Sequence, residues 1–376
     1  MEVRYFDNSA TTRIKEEVLT EMFPFLSREY GNPSSLYSIG RKSKRAIEEA
    51  RKRVASLINC KPEEIYFTSC GSESDNTALK GIAYANQNKG KHIITSKIEH
   101  PAILHSCQNL EKKGFEVTYL DVDKNGFVNL QTLENSIRPD TILISIMFAN
   151  NEIGTIEPIE NIAKIAHKNG IIFHTDAVQA CGNIPIDVQN MDIDMLSLSG
   201  HKLHSPKGIG ALYIRNGIKL EKYIDGGHQE SDRRAGTENV PGIVGLGKAC
   251  EIARNNLGIN MKILKELRDY YVMQVENSIP NARLNGSRNM RLPGNANFSF
   301  REIDGRGLVL ELNKRGICVS GGSACAAGST KPSHVLTALG LPDEMAKAAI
   351  RTTFGPDNTK EDIDYLVQNL KEILYN

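Results

Sequence analysis

Short apolar runs recur through the first half of the chain, separated by stretches long enough to hold a helix. IYFTS at 65, HIITS at 92, EVTYL at 116, ILISI at 142, IIFHT at 171, MLSL at 195 and ALYI at 211 have the length and side-chain types of strands. In the segments between and before them, apolar residues recur at helical spacing: Ala46, Ala50, Val54, Leu57 and Ile58 fall on one face. Strands alternating with helices predict an α/β domain on a mostly parallel, buried sheet of seven strands. After Gly242 the pattern turns helical, with Leu264, Leu267, Tyr271 and Val275 on one stripe. Strands return in NANFSF at 295 and AAIRTTF at 348. The last helix opens with TKED, a capping box of Thr359 and Asp362, and carries Leu366, Leu370 and Ile373 on one face. This second half predicts a smaller α+β domain. The large domain is expected over 15–255, and the small one over 1–14 together with 256–376. The first residues are expected to pack near the active site rather than form a domain, and no internal repeat or low-complexity tract is visible.

Composition narrows the function classes. The 376 residues are 40% apolar, enough for two or three domains with a deep site. With 46 basic and 45 acidic residues the net charge is +1, so no general field draws the chain to nucleic acid or an anionic membrane. The basic run RKSKRAIEEARKR at 41–53 reads as a solvated helix, because Glu48 and Glu49 precede Lys52 and Arg53 by four residues. The opening MEVRYFDNSATT lacks the pattern of a signal peptide. The longest apolar stretch, TILISIMFA at 141–149, is far shorter than the roughly 20 residues that span a bilayer. The seven cysteines are odd in number and form no CxxC pair, which argues against a disulfide framework or a structural zinc site and for reduced, cytoplasmic thiols.

Four segments carry chemistry. In IYFTSCGSESDNTALKG, 65–81, a strand passes through Gly71 and Ser72 into a helix, whose free N–H groups and positive dipole end suit a phosphate; Ser72 or Ser74 as an ordinary N-cap is the alternative. In IIFHTDAVQA a strand delivers Asp176, with Gln179 three residues on. A carboxylate there needs a cation, such as a protonated pyridine nitrogen, or caps a helix. In LSLSGHKLHSPKGIG, 196–210, Ser199, His201 and Lys202 follow a strand. A partly desolvated lysine can form a Schiff base with an aldehyde cofactor, whereas His201 and His204 form only a loose metal-ligand pair. In VSGGSACAAGSTKPSH, 319–334, Cys325 stands among small residues that leave a thiol uncovered.

Together with EHPA at 99, NNEIG at 150, RRAGTEN at 233, IRTTFG at 350, the opening YFDNSATT and GNPSSLYSIG at 31–40, these segments resemble the cysteine desulfurases of the NifS and IscS type over nearly the whole chain. The resemblance implies a pyridoxal phosphate enzyme of fold type I, the aspartate aminotransferase fold, acting as a homodimer. It makes Lys202 the Schiff-base lysine, Asp176 the partner of the pyridine nitrogen and Gln179 a donor to the ring hydroxyl. His100 is then the ring-stacking, proton-exchanging group. Gly71, Ser72, Ser199 and His201 hold the phosphate, with Thr237 reaching in from the other subunit. Asn151 and Arg351 bind the substrate carboxylate, and Cys325 receives sulfur from L-cysteine as a persulfide, leaving L-alanine. An iron–sulfur scaffold is the acceptor the resemblance implies, with tRNA thiolation or another sulfur carrier as the alternatives. His204 has no role in this scheme and is expected to make a local hydrogen bond. Two segments depart from the family's common forms: SGGSACAAGS around Cys325, and TTFGPDN after Arg351. A selenocysteine lyase or another enzyme of the same cofactor class would share the cofactor contacts and differ at the Cys325 loop. A zinc hydrolase using His201 and His204, and an idle subunit that docks on a scaffold, are rivals of other classes.

Overall fold

The computed structural model describes residues 3–301, 303–321 and 331–375. Its strands among these residues are β1 (Arg4–Tyr5), β2 (Ile65–Thr68), β3 (His92–Ser96), β4 (Glu116–Leu120), β5 (Thr141–Ser145), β6 (Ile172–Asp176), β7 (Met195–Ser199), β8 (Gly210–Ile214), β9 (Arg283–Leu284), β10 (Asn295–Ser299), β11 (Ile317–Cys318) and β12 (Ala349–Thr353). The strands β2 to β8 form one seven-stranded sheet in the order β2-β8-β7-β6-β5-β3-β4. Strand β8 is antiparallel to both its neighbours and every other pair is parallel. The reversal has a simple cause. Ser199 pairs with Gly210, so the connection is too short for the helical crossover that a parallel pair requires. The turn therefore stays at the carboxyl end of β7, and it carries Lys202.

Period-two alternation sends neighbouring side chains of the sheet into separate cores. Ile94, Phe173, Leu196 and Leu198 pack on one side, whereas Ile93, Leu143 and Met195 pack on the other, against Ala78, Leu79 and Ile82 of the helix Gly71–Asn86. The first face is covered in part by the helix Ser38–Ile58, whose Ile47, Ala50, Val54 and Leu57 point inward. Of the two pairs read at four-residue spacing, Arg53 lies 3.8 Å from Glu49 as expected, whereas Lys52 lies 3.6 Å from Glu49 instead of pairing with Glu48. Arg51, 3.5 Å from Glu48, has a second partner. It turns inward and donates to both oxygens of buried Glu230 at 2.8 and 2.9 Å.

A separate core surrounds the sheet β12-β10-β9 and includes Phe6, Phe298, Phe300, Ile350 and Phe354 with Ile363, Leu366 and Leu370 of the last helix. Thr359 Oγ1 accepts from Asp362 N–H at 3.2 Å and Asp362 Oδ2 from Thr359 N–H at 3.1 Å, which is the capping box read in TKED. The long helix Val240–Ser278 belongs to both halves. Its Ile243, Val244 and Leu246 enter the core of the large sheet, and its Leu264, Leu267 and Tyr271 enter the core of the small one. The N-terminal strand also bridges the two: β1 pairs with β11, Ser9 N–H donates to Thr353 Oγ1 at 2.9 Å, and Thr12 N–H donates to the His201 carbonyl at 2.9 Å. No described helix is long and apolar enough to cross a membrane.

Candidate active site

The carboxyl ends of β2, β3, β5, β6 and β7 open into a cleft of about 190 Å³, the place where parallel α/β sheets gather ligand groups. Gly71, Ser72, His100, Asn151, Asp176, Gln179, Ser199, His201, Lys202 and Arg351 all line it. Thr237 does not. It is exposed and lines a different cleft with Thr68, Ser69 and Arg234. Cys325 lies outside the described residues.

Lys202 is aimed by the N-terminal segment. Its Nζ donates to the carbonyls of Ser9 and Ala10 at 2.5 and 2.7 Å, and the Gln179 amide donates to the same Ser9 carbonyl at 3.1 Å. Asp176 ends β6 with its Oδ1 accepting from Val178 N–H at 2.9 Å, so it closes a tight turn rather than capping a helix. Burial pushes its carboxyl up, against the pull of His100 and Lys202. The His100 ring sits at the start of helix Pro101–Glu111, where Nδ1 accepts from Ala102 N–H at 3.2 Å. Burial, followed by Lys202 and Lys207, pushes His201 down to about 4, so its ring is neutral at pH 7.

The anion end of the cleft is built by the helix that starts at Gly71. Neither serine named as its N-cap alternative plays that part: the N-cap is Cys70, without a side-chain bond, and the Ser74 hydroxyl is tied to Thr68 and to the Ala211 carbonyl. A Cβ on Gly71 would stand 2.7 Å from a Val178 methyl, so hydrogen in its place keeps the backbone amides close to the cleft. The Ser199 hydroxyl is buried and has no hydrogen-bond partner. An unpartnered buried donor is costly, and a phosphate oxygen would satisfy it. A phosphorylated pyridine aldehyde fits this donor set: a helix start with a waiting hydroxyl, a buried carboxylate for a ring N–H, and a lysine amine.

Arg351 is 1% exposed. One Nη donates to the Asn151 carbonyl at 3.1 Å, the other to Asp7 Oδ1 at 2.6 Å, and its Nε is buried without a partner. The expectation of a local bond for His204 is corrected: its Nδ1 and the carbonyl of Arg13 are 2.9 Å apart, across 191 positions. Among the described residues, the groups close enough to share a metal ion are Asp75, His100 and Asp176, and neither His201 nor His204 is with them.

Several contributors escaped the sequence. Asp7 and the carbonyls of Ser9 and Ala10 are brought in by a chain crossing that no local pattern shows. Glu99 lies beneath, accepting from Ser96 and Met147 at 2.6 and 3.0 Å, and burial pushes it up to about 8. Asp75 had a usable signal: four residues after Gly71, it lies on the same helical face.

The class-V aminotransferase model matches residues 4–366. The chain is 55% identical to the cysteine desulfurase IscS of Clostridium botulinum over 98% of its length and 94% of the relative. Identity is also 55% to the cysteine desulfurase IscS of Methanosarcina thermophila, over 98% of this chain and 91% of that one. Among solved structures, a NifS-like protein aligns with a TM-score of 0.93 at 41% identity, covering 100% of this chain and 99% of the other. A structure described as SspA in complex with cysteine aligns with a TM-score of 0.84 at 39% identity, covering 95% and 100%.

Proposed function

The chain belongs to the class-V aminotransferase family, and from that premise we propose that it is a pyridoxal-phosphate-dependent cysteine desulfurase that takes sulfur from L-cysteine onto Cys325 and releases L-alanine. The observation that carries this reading is the meeting of Lys202, Asp176, His100, Ser199 and Arg351 in one cleft. Pyridoxal phosphate, when bound, supplies an aldehyde that links to amines and a ring that draws electrons from the substrate's Cα.

The chain's own groups do the rest. Backbone amides at Gly71 and Ser72, the Ser199 hydroxyl and His201 hold the phosphate. Asp176 would keep a proton on the ring nitrogen, and Gln179 would donate to the ring hydroxyl. Lys202 would anchor the cofactor through its amine, and the same amine is placed to take the Cα proton of the substrate. Arg351 and Asn151 would bind the substrate carboxylate, and His100 would exchange protons with the substrate. Cys325, as a thiolate, bonds to the substrate sulfur while the Cβ–S bond breaks. The electron pair stays on Cβ and takes up a proton, so alanine leaves and the S–S bond stays on the enzyme.

The described flanks of the Cys325 segment support its assignment. Ser320 exchanges backbone hydrogen bonds with Arg351. Beyond the segment, Ser333 Oγ donates to Glu152 at 2.5 Å, and His334 Nε2 is 3.0 Å from the carbonyl of Glu99. Both flanks are thus fastened to elements that carry cleft residues. The exposed position of Thr237 suits a residue that serves a second copy, and we assign it to the partner's phosphate site in a homodimer. The described cysteines are free thiols, in keeping with a reducing cytoplasm, and an iron–sulfur scaffold is the acceptor we assign to the persulfide.

The test is Lys202→Ala, reconstituted with pyridoxal phosphate and treated with borohydride. Wild type should be yellow and become covalently labelled, and the variant should fold but take no covalent label. A borohydride-fixed cofactor on the variant would overturn the assignment of Lys202. A wild type that takes up no cofactor would overturn the function.

A further inference from the structure

Of the two carboxyl groups that line the cleft among the described residues, Asp176 has a task in the mechanism and Asp75 has none. Asp75 is 1% and Asp176 5% exposed, and oxygens of the two lie within 4.8 Å of each other and of a His100 ring nitrogen. Two buried carboxylates so close cannot both ionise cheaply, so the pair keeps one proton. The surroundings decide which member holds it.

Lys202 and His100 both favour the charged form of Asp176, as does the Val178 N–H bonded to it. Facing Asp75 are Asp176, Glu99 and Cys70, each of which opposes a charge on it, and the Ser197 hydroxyl, which supports one. Two histidines face it as well: His100, with a ring nitrogen within 4.8 Å of both carboxyls, and His174, whose Nε2 is 3.9 Å from Asp75 Oδ1. The His174 ring lies between the hydroxyls of Ser145 and Ser197 at 2.9 and 3.0 Å, and burial pushes it down to about 3, so it brings no positive charge. Asp75 Oδ1 has no hydrogen-bond partner. An uncompensated charge there would cost far more than an unpartnered neutral oxygen.

We propose that Asp75 is a positioning residue that stays a neutral carboxylic acid, holding the single proton of the Asp75–Asp176 pair so that Asp176 remains the ionised partner of the cofactor's ring nitrogen. The inference rests on the pyridoxal phosphate reading. It predicts that the neutral isostere Asp75→Asn reproduces the electrostatics of the site, whereas Asp75→Ala removes a packed polar group and loosens the cofactor.

The experiment is a pH titration of the visible absorption of the loaded enzyme, wild type against Asp75→Asn, together with the infrared spectrum of wild-type holoenzyme labelled with carbon-13 aspartate. The midpoints should agree within about 0.3 units, because removing a neutral group leaves the field unchanged. An ionised Asp75 about 5–10 Å from the titrating nitrogen, at an effective dielectric of about 20, would make the midpoint fall by about 1–2 units in the variant. The labelled wild type should show the carbonyl band of a protonated aspartate at neutral pH, and Asp75→Asn should lack it. A midpoint shift above one unit, or no protonated-aspartate band in the wild type, overturns the inference. The band decides the matter even if the variant fails to fold. Absence of any cofactor absorption in the wild type would instead defeat the functional reading.

Discussion

Replacing Arg351 by lysine keeps a positive charge and removes the planar fork. In the structure that fork is held from behind, by Asp7 Oδ1 at 2.6 Å and the Asn151 carbonyl at 3.1 Å, while Nε stays unpartnered in a side chain 1% exposed. The fixed guanidinium is therefore oriented before substrate arrives, and a lysine ammonium cannot bond Asp7 and grip a carboxylate bidentately at once. Losing one charge-assisted bond to the substrate should cost about 1.5–3 kcal/mol, about 10–150-fold in kcat/KM for L-cysteine. Because the carboxylate is bound before and during the chemistry, most of the loss should appear in KM. Asp7→Asn provides the control. It leaves Arg351 in place but weakens its anchor, so it should raise KM by less, and the double variant should show effects that do not add. Steady-state alanine release at several cysteine concentrations measures all three. A kcat/KM for Arg351→Lys within threefold of wild type would refute the argument and leave Arg351 as a structural partner of Asp7.

Further predictions follow from particular side chains. His201 is pushed down to about 4 from 6.5, so between those values the unfolded chain binds a proton that the folded one does not, and stability falls as pH drops through that window. Denaturant midpoints of the cofactor-free protein at pH 7 and pH 5 should differ more for wild type than for His201→Gln; an equal difference would contradict the shift. His167 is the opposite case. Burial lowers it, but bonds to Asp194 and Asp192 prevail and raise it above 6.5, so its stabilising contribution is full below 6.5 and is lost as pH rises through the raised value. His167→Gln should therefore destabilise more at pH 6 than at pH 9, read by thermal unfolding, and the reverse order would contradict the assignment. Thr237→Ala should leave folding intact but speed cofactor loss during dialysis, and a loss rate equal to wild type would remove Thr237 from the phosphate site.

How far the sequence reached is clear from single residues. Each of the seven apolar runs became a strand because its side chains alternate between two large cores, which is a local pattern. The positions of Lys202, Asp176 and Gly71 at the cleft were legible for the same reason: each sits just past or at the end of such a run, where a buried strand meets a turn. The direction of β8 was not, since it depends on the length of a connection rather than on its composition. Asp7 and the carbonyls of Ser9 and Ala10 were invisible as site parts because they reach the cleft from the other end of the chain and bind through main-chain atoms or a remote pairing. His204 misled for a related reason. With no role in the scheme it was expected to bond locally, but folding brought it to Arg13. Asp75 carried a signal in its spacing from Gly71, but only its burial beside Asp176 shows two carboxyls sharing one space.

Alanine release from L-cysteine by the pyridoxal-phosphate-loaded protein, compared between wild type and Cys325→Ala, tests the central claim most directly. In single-turnover conditions the wild type should form one alanine per site together with one persulfide, detectable as sulfide on adding a reducing thiol. The Cys325→Ala protein should keep the cofactor colour and respond to L-cysteine with a spectral change, yet release almost no alanine. Alanine formed by the variant at the wild-type rate would contradict a sulfur transfer to Cys325, and no alanine from the loaded wild type would contradict the desulfurase altogether.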